Sequence, residues 1–193
     1  MENTSSGVWD EAASSFDDEP DHGLQDAAVR SARRDLLLDV LPAAPASVAD
    51  IGCGTGTLAR LLVDNSFVVD GLDFSPVMLK RARRKVPEAR FVLGDASDPG
   101  LEQSAYDVVL SRHVLWALPD PRSAFAAWVG LLKPGGIVVL IEGRWSTGAG
   151  LTAEQATDVV RAVRSRAEVR PLREAVYWGK EISDERYILV SDA

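Results

Sequence analysis

The chain has 193 residues, 46% of them hydrophobic and 26% charged, which is the size and composition of one ordinary globular domain. Its formal net charge of −8 gives no basic footprint for a phosphate backbone, so the composition argues against nucleic acid as a partner. No apolar run approaches the roughly 18 residues that a membrane span needs, and the acidic, polar start has no features of a secretory signal, so we expect a cytoplasmic protein without a membrane partner.

The first segment, residues 1–23, is predicted to be a short helix or a flexible arm. It combines Trp9, Phe16 and His22 with many acidic and small residues, and it has no long apolar stripe. Two interpretations stay open here, a solvated tail and a lid over a binding site. After Leu24, apolar residues recur at helical spacing until Pro42 ends the helix.

A strand, a tight glycine turn and a helix are predicted over residues 47–63. The turn is Asp50-Ile-Gly52-Cys53-Gly54-Thr-Gly56, and glycine there permits positive φ and lets a ligand lie against bare backbone. The dinucleotide fingerprint G-x-G-x-x-G requires Gly or Ala at position 57, where this chain has Thr57. Asp50 places a carboxylate beside the exposed backbone, an arrangement that suits a ligand with a cationic amine.

Cys53 is the single cysteine of the chain and lies inside the glycine turn. We interpret it as a small residue that a cramped loop tolerates rather than as a nucleophile.

Asp73 ends the second predicted strand, residues 67–73, and lies 21 positions beyond Gly52 (73 minus 52). Nucleotide-binding α/β folds place an acid at this distance on the ribose hydroxyls. Ser75 already caps the next helix, so the alternative role of Asp73 as a helix cap is less favoured. Phe74 and Met78 are placed to bracket a purine ring, although core packing explains Met78 almost as well.

The basic run from Lys80 to Lys85 looks like a nucleic-acid patch in isolation. Because it occupies the last turns of a helix, where cations complement the helix dipole, we interpret it as a solvated face. Lysine is otherwise scarce in the chain, a usage typical of GC-rich bacterial genomes, so a bacterial source is expected.

Two more strands are predicted at residues 90–93, leading into Gly94-Asp95-Ala96, and at residues 106–111, leading into Arg112-His113. Open α/β sheets bind ligands beyond the carboxyl ends of their strands. His113 is the histidine placed at that edge, so it is the candidate base or substrate hydrogen-bond partner, with a purely structural role as the alternative. Arg112 is expected to form an ion pair in preference to binding an anionic substrate.

The remaining pattern predicts a core-facing helix around Phe125–Leu132, a turn at Lys133–Gly136 and a buried fifth strand at Ile137–Ile141. A loop is predicted over Gly143–Gly150, and Thr152 to Gln155 forms a capping box ahead of another helix. The last two strands are expected at residues 169–172 and 186–190. No metal site is expected, since the two histidines are not part of a ligand-spaced cluster.

Three motifs in this order, Asp50 to Gly56, Gly71-Leu-Asp73-Phe-Ser-Pro-Val-Met78 and Gly94-Asp95-Ala96, resemble a class I S-adenosylmethionine-dependent methyltransferase. The resemblance implies a Rossmann-like, doubly wound α/β sheet of about seven strands. These would be mostly parallel with an antiparallel last strand, and helices would cover both faces. The implied cofactor is S-adenosyl-L-methionine, the product is S-adenosyl-L-homocysteine, and no metal is needed.

The resemblance also assigns roles to individual residues. Asp50, Gly52 and Gly54, with the backbone of Ser111 and Arg112, would hold the methionine end, and Cys53 lies in the same turn. Asp73 would bind the ribose, and the adenine would contact Phe74, Met78, Asp95 and Ala96. In that family the N-terminal segment often folds over the cofactor.

The domain organisation that follows is an arm or lid at 1–23 and a single methyltransferase domain at 24–193. Within the domain, 24–142 is the cofactor-binding core and 143–193 is a short substrate-side part. A homodimer or an open pocket for a large substrate would account for how such a short part closes the site.

The expected activity is methyl transfer to an oxygen or nitrogen nucleophile of a small molecule, including a specialised metabolite or a peptide. A non-catalytic S-adenosylmethionine-binding module is the alternative. An NAD-dependent oxidoreductase is a third reading, against which Thr57 argues.

Overall fold

A seven-stranded sheet forms the centre of the computed structural model, which describes residues 6–192. The strand order is β3-β2-β1-β4-β5-β7-β6. The strands are β1 Ser47–Ile51, β2 Val68–Asp73, β3 Arg90–Leu93, β4 Tyr106–Arg112, β5 Leu132–Arg144, β6 Glu168–Pro171 and β7 Glu185–Ser191. Strands β1 to β5 are parallel, and β7 is antiparallel to both of its neighbours. The predicted fold class is confirmed.

Helices cover both faces of the sheet. They are α1 Ser6–Ala12, α2 Pro20–Gly23, α3 Ala27–Val40, α4 Thr57–Val63, α5 Pro76–Lys85, α6 Pro121–Gly130 and α7 Ala153–Arg161. One core lies between the sheet and α3, α4 and α5, and the other lies between the sheet and α6 and α7. Neighbouring residues of β1 point to opposite cores, since Val48 belongs to the first and Ala49 to the second.

Polar side chains fix where the longer helices begin. Asp26, Ser75, Asp120 and Thr152 each accept hydrogen bonds from backbone N–H groups of the first turn that follows them. Each such cap contributes about 1 kcal/mol to helix stability. Because the cap is local, these starting points follow from the sequence, and the capping box from Thr152 to Gln155 forms as predicted.

Strand β5 is longer at both ends than the sequence pattern indicates. The predicted turn at Lys133–Gly136 is wrong, because the strand begins at Leu132 and passes through these residues with a register shift against β4. At the other end β5 runs to Arg144, two residues into the predicted loop, because it pairs with β7 beyond the last residue of β4.

The N-terminal arm, residues 6–23, is fastened to the domain by polar contacts. The Asp17 carboxylate accepts from Lys85 Nζ at 2.8 Å and from the Thr55 hydroxyl in the glycine turn. Arg112 donates to the Asp21 carbonyl oxygen. The interpretation of the basic run as a solvated face is therefore wrong for Lys85, which is only partly exposed and lies between the arm and the glycine turn.

Residues 1–5 of the predicted arm lie outside the described part of the chain. Over residues 6–192, we find no helix with both the length and the apolar character needed to cross a bilayer.

Candidate active site

A cavity of about 430 Å³ lies at the carboxyl ends of β1, β2 and β4, within the roughly 300 to 1,000 Å³ range of ligand pockets. Strand order reverses between β1 and β4, and this topological switch point is where open α/β sheets bind ligands. Predicted site residues that line it are Asp50, Gly52, Cys53, Gly54, Asp73, Phe74, Met78, Asp95, Ala96, Arg112 and His113. Ser111 is not among the lining residues, and its buried hydroxyl donates to the Ile51 carbonyl oxygen, so the role predicted for its backbone stays a prediction.

The glycine turn adopts backbone conformations that other residues rarely tolerate. Gly52, Gly54 and Gly56 have φ values of +73°, +53° and +78°. A Cβ atom on Gly52 would overlap the Cγ2 atom of Val114 across the cavity floor. The turn therefore requires glycine at position 52 for both its conformation and its close approach to Val114.

We expect Gly52→Ala to destabilise the domain by about 1 to 3 kcal/mol, because it adds left-handed strain and an overlap with Val114. The matched control is Gly100→Ala, which has φ of +58° but nothing within 4 Å of the added Cβ. Urea unfolding of both variants separates the cost of the left-handed backbone from the cost of the overlap with Val114. Equal losses for the two would show that the overlap at Val114 has no effect.

Three acids lie at or just beyond the carboxyl ends of three neighbouring strands, and they differ in their surroundings. Asp50 is 2% exposed and its Oδ2 atom has no hydrogen-bond partner. Burial raises the pKa of Asp50 to about 7, with Asp73 adding to the rise and Arg112 opposing it. A cationic ligand group beside Oδ2 would satisfy this buried atom.

Asp73 organises the turn as well as facing the cavity. Its Oδ2 accepts from Gly54 N at 2.8 Å and its Oδ1 accepts from Ser75 N at 2.9 Å. Burial raises the pKa of Asp73, while these backbone hydrogen bonds oppose the rise. Each carboxylate oxygen retains a free lone pair, so the geometry is compatible with a further hydrogen bond from a ligand hydroxyl.

The third acid, Asp95, lies at the rim, where its Oδ1 accepts from Ser97 N at 2.7 Å. The next residue, Ala96, is fixed because its carbonyl oxygen accepts from Trp128 Nε1 at 2.7 Å. Met78 is 2% exposed, so it serves the core and the cavity wall together.

Cys53 is buried, and burial together with the charges of Asp50 and Asp73 raises the pKa of its thiol well above the usual value. A thiol that holds its proton this firmly is a poor nucleophile. The geometry agrees with the interpretation of Cys53 as a small residue in a cramped turn.

Arg112 is directed at the N-terminal arm. Its Nη1 donates to the Asp21 carbonyl oxygen, and the carboxylates of Asp21, Asp50 and Asp17 oppose the effect of burial, which lowers its pKa. Arg112 thus joins the arm to the end of β4 through a backbone oxygen, instead of the direct ion pair that the sequence suggests.

His113 sits in a left-handed conformation with φ of +59°. Its backbone is held on both sides, since its N–H donates to the Ile141 carbonyl at 3.0 Å and its carbonyl accepts from Trp116 Nε1 at 3.0 Å. Its Nε2 is buried without a partner, and burial lowers its pKa well below the usual value, with nearby Arg112 as the next cause. The imidazole is therefore neutral at pH 7.

The sequence does not identify several residues that line the cavity, among them Trp116, Trp145 and His22. His113 is accordingly not the one histidine at this edge, because the arm brings His22 to the same space. Trp145 follows β5 in a stretch that the sequence shows only as a glycine-containing loop. The sequence shows that these residues carry aromatic or imidazole rings, but no pattern of neighbouring residues predicts which cavity the rings line.

Residues 49–140 match a family model described as a methyltransferase domain. Over this range the chain belongs to the class I methyltransferase family. The matched range runs from β1 into β5 and so contains the glycine turn and all three acids. The family resemblance of the sequence motifs is confirmed.

Curated relatives match this methyltransferase chain over part of their length. A demethylmenaquinone methyltransferase of Renibacterium salmoninarum is 32% identical over 139 residues, which cover 69% of this chain and 59% of that protein. A trans-aconitate 2-methyltransferase of Methylobacterium radiotolerans is 37% identical over 108 residues, which cover 55% and 41%. The chain spans about half the length of these two relatives, so their substrates are not assigned to it.

Solved structures with this fold include a geranyl diphosphate C-methyltransferase from Streptomyces coelicolor in complex with S-adenosyl-L-homocysteine. Its TM-score is 0.71 at 16% identity, and the match covers 84% of this chain and 78% of that one. The [4+2]-cyclase SpnF also has a TM-score of 0.71, at 20% identity, with 83% and 80% covered. At these identities the likeness shows the fold alone.

The cavity of this methyltransferase chain fits S-adenosylmethionine, the cofactor of its family. The unpartnered Oδ2 of Asp50 suits the ammonium group, and the bare backbone of the glycine turn leaves room for the amino-acid end. Asp73 lines the same cavity. Within residues 6–192, no group of three or more His, Cys, Asp or Glu side chains is arranged to hold a metal.

Proposed function

We propose that this chain is an S-adenosylmethionine-dependent methyltransferase that methylates an oxygen or nitrogen nucleophile of a small molecule. The observation that carries the proposal is one cavity, at the switch point of the sheet, lined by Asp50, Asp73 and Asp95 beside the glycine turn. An acid at the end of each of three neighbouring strands suits a cationic amino-acid nucleoside better than a pyrophosphate.

In the proposed arrangement, each part of the cofactor has its own residues. Asp50, with Gly52 and Gly54, holds the methionine end, and Asp73 binds the ribose hydroxyls. Other lining residues hold the adenine: Phe74, Met78, Asp95 and Ala96. When bound, the cofactor would supply a methyl group on a sulfonium, which is a good leaving group.

The main contribution of the protein is then to orient the acceptor. Holding reactants in line can supply roughly 7 to 11 kcal/mol in favourable models. The arm covers the turn and so excludes water, while the neutral His113 is available to receive a proton from an acceptor hydroxyl.

Binding of S-adenosylhomocysteine, measured by titration calorimetry beside NAD, tests the cofactor assignment. We expect S-adenosylhomocysteine to bind and NAD not to bind. The reverse result would support the oxidoreductase alternative. Binding without turnover across phenol, amine, carboxylate and thiol acceptors would favour a non-catalytic module instead.

Three further parts of the proposal have their own measurements. A homodimer predicts a particle of twice the 20.8 kDa chain mass in light scattering. Cell fractionation tests the proposed cytoplasmic location. The acidic composition favours no affinity for nucleic acid, and a filter-binding assay tests this.

His113→Asn is expected to lower turnover by roughly 100-fold, the lower end of what general acid–base catalysis contributes. Asparagine is chosen because it tolerates the left-handed backbone at this position. S-adenosylhomocysteine affinity and the melting temperature are expected to stay unchanged. The matched control is Ser104→Asn, at another positive φ on the surface, and full activity of His113→Asn would assign His113 a packing role.

A further inference from the structure

Seven aromatic and imidazole rings line the main cavity and a recess beside it. We name the space that they line the aromatic channel, and its rings are Trp9, Phe16 and His22 from the arm, and His113, Trp116, Trp145 and Trp178 from the domain. At one end Phe16 lies over Gly54 of the glycine turn, and at the other a recess of about 210 Å³ shares His22, His113 and Trp145 with the main cavity.

The rings form two walls that are each packed internally. In the arm wall, Phe16 and His22 are stacked at 4.3 Å between centroids and Trp9 packs edge-on against Phe16 at 6.3 Å. In the domain wall, Trp145 meets His113 at 5.1 Å and Trp116 at 5.3 Å. Rings fixed by their neighbours form a rigid slot at low entropic cost, which favours a flat apolar guest.

Arginine guanidinium groups already lie over the tryptophan rings of the domain wall. The Arg186 guanidinium lies over the rings of Trp145, at 5.3 Å, and Trp178, at 4.9 Å, and Arg33 lies over Trp178 at 4.8 Å. These tryptophans therefore already have cation–π partners. A cationic guest would also meet the like charge of Arg112 in the cavity wall, so a neutral ring is favoured over an ammonium.

Acidic groups at the recess do not reverse this preference. Glu19 lies 3.4 Å from Lys180 Nζ, and the Asp21 carboxylate lies 3.8 Å from His22 Nε2. Asp184 is bound to Arg186 through both carboxylate oxygens, at 2.8 and 2.9 Å. Glu19 and Asp184 are each paired with a cation, and the charge of Asp21 acts on the buried Arg33 and Arg112.

Two ring nitrogens in the channel lack partners. His22 Nδ1 and His113 Nε2 are both buried and make no hydrogen bond with any residue from 6 to 192. Burial lowers the pKa of both imidazoles, so both are neutral at pH 7. A neutral imidazole nitrogen accepts a hydrogen bond from a hydroxyl group, and the nearby arginine charges repel a protonated amine. The channel therefore favours a hydroxyl over an ammonium group.

We propose that the acceptor is a planar aromatic molecule bearing a hydroxyl group, with its ring in the aromatic channel and its oxygen beside His22 and His113. The inference rests on the proposed methyltransferase function and narrows its nucleophile to oxygen. In the transfer, an O–CH₃ bond forms as the S–CH₃ bond breaks, and the electron pair of that bond stays on sulfur. The hydroxyl proton passes to a ring nitrogen of His113.

Titration calorimetry on the S-adenosylhomocysteine-loaded protein tests this assignment with three probes of one skeleton. They are 2-naphthol, 2-naphthylamine and decahydro-2-naphthol. We expect 2-naphthol to bind at least tenfold more tightly than either of the others. Equal binding of the saturated alcohol would overturn the aromatic assignment, and equal binding of the amine would overturn the hydroxyl assignment.

Variants of Trp145 locate the probe. Trp145→Ala is expected to weaken 2-naphthol binding at least tenfold, and Trp145→Phe is expected to restore most of it, while the affinity for S-adenosylhomocysteine stays unchanged in both. Leu38→Ala, on the exposed face of α3, is the control. Unaltered 2-naphthol binding in Trp145→Ala would overturn the proposal. Failure of the unmodified chain to bind S-adenosylhomocysteine would instead overturn the proposed function, and with it this inference.

Discussion

Asp73→Ala is expected to lower the affinity for S-adenosylhomocysteine by roughly 100-fold to 10,000-fold. A carboxylate that accepts two ribose hydroxyls makes two charged hydrogen bonds, each contributing roughly 1.5 to 3 kcal/mol, and each 1.4 kcal/mol is about tenfold in affinity. The side chain also accepts from Gly54 N and Ser75 N, so its loss loosens the glycine turn itself. Titration calorimetry measures the affinity directly.

Two controls separate ligand binding from folding in this experiment. Asp73→Asn keeps an acceptor oxygen for one N–H group, so it is expected to be more stable than Asp73→Ala while still binding more weakly than the unmodified chain. Asp35→Ala removes an exposed carboxylate from α3 and is expected to have no effect. An affinity for S-adenosylhomocysteine that Asp73→Ala leaves intact would contradict the ribose assignment.

Glu142→Gln is expected to change how stability depends on pH. Glu142 is fully buried beneath the turn that carries His113, and its Oε1 accepts from Val114 N at 3.0 Å and Leu115 N at 2.9 Å. Its Oε2 has no partner, and burial raises the pKa of Glu142 from 4.5 to about 8, against the effect of those two hydrogen bonds.

The sign of the effect follows from this raised pKa. The folded state holds a proton on Glu142 that the unfolded state releases. The contribution of protonated Glu142 to the free energy of unfolding is therefore fully present below about pH 4.5 and is lost as the pH rises through 8. At roughly 1.4 kcal/mol per pKa unit, the loss is on the order of a few kcal/mol by pH 9. Glutamine retains the acceptor oxygen and cannot ionise, so the stability of Glu142→Gln should not fall through this titration as the pH rises.

The order of stability of Glu142→Gln and the unmodified chain should therefore reverse as the pH rises. Near pH 6, Glu142→Gln is expected to be less stable by about 1 to 3 kcal/mol, because its amide donors replace the unpartnered Oε2 in a buried position. At pH 9 it should be the more stable protein. Urea unfolding at both pH values measures this, with exposed Glu181→Gln as the control, and parallel pH curves for Glu142→Gln and the unmodified chain would refute the account.

The fold followed from the sequence where the signals are local. Strand β1 was expected to begin at Ser47 and end at Ile51, and it does, because an apolar run followed by glycines is a pattern that neighbouring residues alone produce. Helix α5 begins after Ser75, whose hydroxyl accepts from Met78 N, for the same reason. The exception is β5, whose early start depends on pairing with β4 and whose late end depends on pairing with β7.

The cofactor half of the site was also within reach of the sequence. Asp50, Asp73 and Asp95 lie at or just beyond the carboxyl ends of β1, β2 and β3, and parallel strands bring these ends to one edge of the sheet. Ser111 is the predicted site residue that does not line the cavity, and the role predicted for its backbone is untested by its side-chain position. It belongs to β4, and its side chain is directed into the sheet, where it binds the Ile51 carbonyl oxygen.

The sequence by itself determined the doubly wound fold, the glycine turn and the acids around it, since spacing and turn chemistry act over a few residues. The tertiary structure alone decided that His22 joins His113 and Trp145 in one aromatic channel, and that Glu142 lies buried under the His113 turn. Position 22 is far from 113 and 145 along the chain, and burial depends on every element packed around a group. Such contacts arise only when the sheet, the arm and the last strands have assembled.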